Sequence, residues 1–244
     1  GTVQDVTDRK QAEEALKNYA AELETANREL EAFSYSVSHD LRQPLRALDG
    51  FSQIVIEEYA DKLDERGQDY LTRVRKASQH MSRIIDDLIN LSRVTRAEMH
   101  QEEVDLSEIA GSIVDSLKTG QPGRPVETVI QDNIKVWGDR RLLTLALTNL
   151  LNNSFKFTLR KPLARIEFGA VSKNNETIYY VKDNGVGFDA HYIDKLFRPF
   201  QRLHTSTEYP GDGIGLATVD RIIRRHGGRI WAENNPQGGA TFTV

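Results

Sequence analysis

The chain has 244 residues, 39% hydrophobic and 28% charged, with a net charge of −4; these values belong to a soluble protein of one or two domains with a sizeable core. The mild acidity gives no reason to expect nucleic acid or an anionic membrane surface as a partner, and the lack of cysteine excludes disulfides, thiol catalysis and cysteine-held zinc and points to a reducing compartment. No apolar run is long enough to span a bilayer and no signal-peptide pattern is present; because Gly1 is no initiator, the chain reads as a cytoplasmic fragment of a parent whose other segments are free to hold a membrane anchor.

Residues 1–10 (GTVQDVTDRK) read as a strand end followed by polar residues, and the pattern then turns helical to about residue 60. Leu16, Leu23, Leu30 and Val37 fall at a, and Ala12, Tyr19, Ala26 and Phe33 at d, of an unbroken heptad repeat. That is the signature of a parallel coiled coil and implies a dimer. An amphipathic helix packed on its own chain is the competing reading. The same register puts His39 at c, off the seam and facing solvent, beside Asp40. Pro44 removes a backbone donor and crowds the preceding turn, so it is expected to loosen the helix just after the histidine. The apolar spacing then moves to Leu41, Leu45, Leu48, Val55 and Tyr59.

The polar stretch 59–70, with Gly67, reads as a turn, and a second helix follows with Leu71, Val74, Ala77, Met81, Ile84, Ile85, Leu88 and Leu91 on one face. Two helices joined by a turn form a hairpin, and a dimer of hairpins makes a four-helix bundle. Residues 96–105 (RAEMHQEEVD) read as a linker. Beyond it, helices over 106–118, 140–158 and 215–228 alternate with strands in 124–132, 134–139, 164–171, 177–183, 229–234 and 240–244. Mixed helices and antiparallel-type strands predict an α+β sandwich with its helices on one face.

Three stretches carry candidate chemistry. On a helix turning about 100° per residue, Asn149 and Asn153 lie roughly 40° apart and Lys156 returns to their face, with Leu143, Leu147 and Leu151 on the other side. Mg²⁺ takes few protein oxygens and keeps phosphate and water oxygens, so two amides and an ammonium suit a Mg-nucleotide; a solvated polar face gives the same pattern. In DNGVGFD (183–189), Gly185 and Gly187 allow backbone to approach a flat ligand closely, and Asp183 can accept from an exocyclic amine. An ordinary Asn-Gly turn explains the stretch equally well. PGDGIGLATVDRII (210–223) is a glycine-rich turn running into a helix, whose N–H groups and dipole can hold phosphate.

Taken in order, these pieces resemble the sensor histidine kinases of two-component systems over nearly the whole chain. FSYSVSHDLRQPLRAL (33–48) resembles their phosphoacceptor box, NLLNNSFKFT (149–158) the asparagine box, DNGVGF (183–188) the first glycine box, LFRPFQRLH (196–204) the phenylalanine box and GDGIGLA (211–217) the second glycine box. GGRIWAENNPQGGATF (227–242) is similar to the closing strands of the family. The resemblance implies a multidomain chain. Its parts would be the tail of a PAS-like sensor (1–11), a coiled-coil signalling helix (12–37), a dimerisation and phosphotransfer domain (28–98), a linker (99–105) and an ATP-binding catalytic domain of the Bergerat type (106–244).

It also implies roles. His39 would be the nucleophile toward the γ-phosphate of ATP, with Asp40 as base holding the proton of the other ring nitrogen. Asn153 would be the chief Mg²⁺ ligand with Asn149 close to the metal, Lys156 would contact phosphate, and Asp183 would read the adenine amino group. Gly185 and Gly187 would pass beneath the base, and Arg202 would neutralise charge on the transferred group. Phe157 and Leu216 join the nucleotide set. Gly211, Gly213 and Gly215 would close a mobile lid whose start Phe197 and Phe200 anchor. The partners implied are a response-regulator receiver domain and a second copy of the chain. Gln43 stands where many relatives have threonine or asparagine, which opens the question of phosphatase activity toward the regulator, and Ser154 stands where alanine is common and is expected to be neutral. An ATPase of the related chaperone and mismatch-repair class, or a dimeric pseudokinase, are the competing functions.

Overall fold

A computed structural model describes residues 36–38, 40–94, 98–173, 176–201, 208–209 and 211–244, with positions 10, 14, 18, 19, 22 and 25 before them. The chain divides into two compact units, Gly1–Ser92 and Arg93–Val244.

The first unit is a helical hairpin. Helix α1 is described over 36–38 and 40–58, a 3-10 turn covers Ala60–Lys62, and α2 spans Glu65–Val94. α2 begins earlier than the composition suggests. Asp64 Oδ1 accepts the Gly67 N–H at 2.7 Å, a side-chain cap on the orphan donors of the first helical turn, so Gly67 lies in the helix and not in the connection. Pro44 sits inside α1, which is helical on both sides of it; losing one donor loosens the ladder there without ending the helix. Leu45, Ile85 and Ile89 form the small core of the hairpin. Around it, Arg75 binds Asp49 at 3.2 Å and Gln53 at 3.1 Å, and Arg42 meets Asp86 at 2.9 Å. Most of the heptad positions, and His39, lie outside the described residues; Tyr19 and Val37, which are described, are exposed.

Among its described residues, the second unit sets three α-helices, α3 (Leu106–Thr119), α4 (Arg140–Phe157) and α5 (Gly215–Arg225), against a five-stranded sheet. Its strands are β1 (Gln101–Asp105), β2 (Val126–Ile130), β3 (Lys135–Asp139), β4 (Ala164–Lys173), β5 (Glu176–Asp183), β6 (Trp231–Asn234) and β7 (Ala240–Thr243). The large sheet runs β2-β4-β5-β7-β6, antiparallel except for the parallel β2–β4 pair, so it is mixed. β1 and β3 form a separate antiparallel ribbon. The polar stretch read as a linker is therefore, over Gln101–Asp105, a paired strand of the second unit; Val104 is its one fully buried residue.

Period-3.6 apolar faces on the helices meet the period-2 inner face of the sheet. Leu143, Leu147, Leu151 and Phe155 of α4 and Val219 and Ile222 of α5 share one core with Ile166, Phe168, Val181 and Phe242. The polar face of α4, with Asn149, Asn153 and Lys156, is left half-buried rather than solvated.

Candidate functional site

α4 is fixed at its start by Asp139, whose side chain accepts the Leu142 N–H at 3.1 Å. At its other end, the Arg124 guanidinium donates to the Phe155 carbonyl at 2.9 Å and to the Thr158 hydroxyl at 2.8 Å, satisfying one orphan carbonyl of the last turn. Both anchors hold the polar face in place. The Asn149 amide nitrogen donates to the Leu145 carbonyl at 2.9 Å, which turns Oδ1 outward toward the start of α5. A Cβ on Gly215 would lie 2.6 Å from that oxygen, so any larger residue there would push the Asn149 amide aside. The Asn153 side chain makes no hydrogen bond to a described residue. Lys156 lies with Nζ 4.3 Å from the Phe157 ring centroid and faces Gly211, whose Cβ would be 3.1 Å from the ammonium. The asparagine helix and the second glycine turn are thus brought together.

Asp183 ends β5 and is buried. Its Oδ1 accepts the Gly185 N–H at 2.8 Å and the Ala240 N–H at 3.3 Å, and its Oδ2 accepts the Ser154 hydroxyl at 3.3 Å. Burial pushes the carboxyl above the ordinary aspartate range; the Gly185 and Ala240 amides, the Ser154 hydroxyl and the charge of Lys161 oppose the shift without cancelling it. Gly185 is required sterically, since a Cβ would meet the Phe157 carbonyl and Asp183 Oδ1 at 2.8 Å each. Gly187 packs instead on Asn234 of β6. The result is a buried, acceptor-only group flanked by bare backbone, suited to a planar ligand that carries a donor.

Phe197 packs on the core, whereas Phe200 is 54% exposed and is held by its backbone, donating to the Gly213 carbonyl at 2.9 Å. Leu216 also packs on the core. Arg202 lies outside the described residues, as does His39. Asp40 and Gln43 are exposed on α1. Residues the motifs did not single out also build the site. The Asn234 amide closes a pair of hydrogen bonds with the Phe188 backbone, the Asn235 amide donates to the Asp183 carbonyl at 2.8 Å, and the Tyr209 ring packs tilted against Phe157, centroids 5.2 Å apart. The run NNPQGG signals a turn, and nothing in it signals these partners.

The chain is thus a helical hairpin followed in sequence by a mixed sheet backed by helices, with a buried aspartate at a strand end bonded to an amide-bearing helix. Residues 29–97 match the family described as the His Kinase A (phospho-acceptor) domain, and residues 138–244 match the family described as histidine kinase-, DNA gyrase B-, and HSP90-like ATPase. Cyanobacterial phytochrome B of Nostoc sp. is 35% identical over 239 residues, 95% of this chain and 31% of its own length. The methanogenesis regulatory histidine kinase FilI of Methanothrix harundinacea is 35% identical over 225 residues, 92% of this chain and 25% of its own. Among solved structures, full-length ShkA in complex with AMPPNP aligns with a TM-score of 0.62 at 21% identity, covering 86% of this chain and 44% of that one. The histidine kinase AdeS of Acinetobacter baumannii aligns at 0.55 and 23%, covering 84% and 95%; at these identities the likeness concerns the fold. The chain belongs to the sensor histidine kinases of two-component systems. It spans about a third of the length of the curated relatives it matches.

Proposed function

We propose that this chain is the catalytic core of a sensor kinase that phosphorylates its own His39 from Mg-ATP and hands the phosphoryl group to an aspartate of a response-regulator receiver domain. The observation that carries the reading is Asp183, a buried carboxylate with a lone pair left on Oδ2 and bare glycine backbone beside it. In this reading Asp183 accepts the adenine amine, with Gly185 and Gly187 under the base and Phe157 beside it. Lys156 and the backbone of Gly211, Gly213, Gly215 and Leu216 hold the phosphates, with the segment from Phe197 to Phe200 at the lid's start. The Asn153 and Asn149 amide oxygens fit a hard cation, and among the described residues no His, Cys, Asp and Glu cluster competes for one. Bound Mg²⁺ offsets the charge of the triphosphate. Asp40 holds the proton on one imidazole nitrogen so that the other offers its lone pair to the γ-phosphorus as the bond to ADP breaks, and Arg202 balances the charge on the moving group.

Apolar side chains exposed on the helical unit, Leu48, Phe51, Ile54, Val74 and Met81, support a dimer through that unit; light scattering at micromolar protein should give twice the chain mass. Among the described residues no helix is long and apolar enough to cross a membrane, and the core is read as working in the cytoplasm. Gln43 is exposed on α1 and is the residue to test for regulator dephosphorylation, by comparing Gln43→Ala with wild type. The main test is incubation with labelled ATP and Mg²⁺. Acid-labile, base-stable label on the wild type and none on His39→Gln is expected; label that persists in His39→Gln would falsify the assignment.

A further inference from the structure

Ser154 is fully buried on α4, immediately beside the nucleotide-facing residues, and its hydroxyl has two ways to bond. A mid-helix serine ordinarily returns its proton to the carbonyl four residues back. Here the hydroxyl donates instead to Asp183 Oδ2, 29 residues away in sequence, at 3.3 Å. The two oxygens of Asp183 are thereby made unequal. Oδ1 is occupied by the Gly185 and Ala240 amides at 2.8 and 3.3 Å, while Oδ2 has the serine alone. Every donor around the carboxylate is fixed by backbone or by a buried helix position, so the group is oriented before any ligand arrives.

We propose that Ser154 is a positioning residue that holds Asp183 as an ionised acceptor with Oδ2 aimed at the purine 6-position, and so sets the preference for a 6-amino over a 6-oxo purine nucleotide. The inference rests on the adenine-reading role assigned to Asp183 above. An ionised carboxylate only accepts hydrogen bonds. It therefore pairs with the amine of adenine and opposes the carbonyl of guanine, leaving buried acceptors face to face. A protonated Asp183 would do the reverse, donating to the carbonyl. The serine is one of the donors that set the balance between the two forms, and the only side-chain hydroxyl among them. Burial already pushes this carboxyl upward, and the groups opposing it are the Gly185 and Ala240 amides, Ser154 from α4 and Lys161 from the α4–β4 connection. Removing the hydroxyl takes away one donor that favours the charged form, which moves the carboxyl further up.

The test measures ATP and GTP affinity by calorimetry across pH 5 to 8 for the wild-type chain, Ser154→Ala, Ser154→Cys and Ser154→Thr. Wild type should prefer ATP. Ser154→Ala should lose about tenfold of the ATP-to-GTP affinity ratio near neutral pH, the equivalent of one hydrogen bond to a charged group. In that variant the fall of ATP affinity on acidification should begin at higher pH, and GTP should gain on ATP as pH drops. Ser154→Thr, which keeps the hydroxyl, should restore the ratio, and Ser154→Cys, a weak donor of similar volume, should fall between. An unchanged ratio and an unchanged pH midpoint in a folded Ser154→Ala protein overturn the role of Ser154 while leaving the kinase reading intact. A wild type that binds neither nucleotide overturns both.

Discussion

Asp139 and Asp183 are two buried carboxylates of the same unit, 1% and 4% exposed, and their surroundings shift them in opposite directions, Asp139 down and Asp183 up. For Asp139, burial pushes the carboxyl up, but the Leu142 and His100 amides, each at 3.1 Å, and Arg141 at 3.4 Å together hold it below the ordinary range. For Asp183, burial prevails over its donors. The contrast lies in what each oxygen does. Asp139 caps α4 and ties the chain ahead of β1 to it, so all of its bonds serve the fold. Asp183 keeps acceptor capacity on Oδ2, and the fold carries a buried charge that it does not fully compensate. Unspent hydrogen-bonding capacity in a desolvated place marks a binding site better than burial alone.

The largest effect expected from this contrast is on ligand binding. Asp183→Asn should weaken ATP by about 100-fold, since it exchanges a charged acceptor for an amide that presents its own donors, while calorimetric melting should show no loss of stability. Asp139→Ala should do the opposite: it should cost about 2 kcal/mol in denaturant unfolding, through the lost cap and an unpaired amide, with ATP affinity nearly unchanged. Equal effects of the two substitutions on binding would erase the distinction.

The pH dependences separate the pair more finely. Asp139 has a depressed folded value, so its contribution is complete above the ordinary aspartate value and is lost as pH falls through the depressed one. Asp183 has a raised folded value, so the native state holds its proton more tightly and the group costs stability at neutral pH. That cost fades as pH falls from the raised value toward the ordinary one. Unfolding free energies of Asp183→Asn and wild type should therefore converge on acidification toward pH 4, and those of Asp139→Ala and wild type should converge only below it. The smallest expected effect is at Gly215→Ala, where the Asn149 amide must give way by a few tenths of an ångström or more. ATP affinity should drop about threefold, the weakening of one neutral contact, with an unchanged melting temperature.

Much of this arrangement is legible along the chain. The two faces of α4 follow from the 3.6 period, and Asp183 stands in a glycine-flanked stretch at a strand end. The hidden parts depend on residues far apart in sequence. Gln101–Asp105 is mostly polar because Gln101, Glu102 and Glu103 are exposed on both faces of the ribbon and only Val104 is buried, so alternation never signals a strand. The Asn234 bonds to Phe188 and the Ser154 bond to Asp183 join positions 46 and 29 residues apart. Ser154, expected to be neutral because relatives commonly carry alanine there, donates a hydrogen bond to Asp183 that its place in the motif does not signal. Gly67 lies inside α2 for a local reason: Asp64 starts the helix early enough that the glycine is spent inside its first turn.

The mixed sheet has a consequence for how the domain assembles. β4 and β5 are neighbours in the chain and pair from Lys173 opposite Glu176, whereas β2 joins the far edge in parallel, pairing Val126 with Ala164 only after α4 has been traversed. Loop-closure entropy favours the near pair first and the distant one later. The strand pair that ends in Asp183 is thus poised to form early and α4 to dock on it, so that the buried carboxylate acquires its serine before the outermost strand zips on.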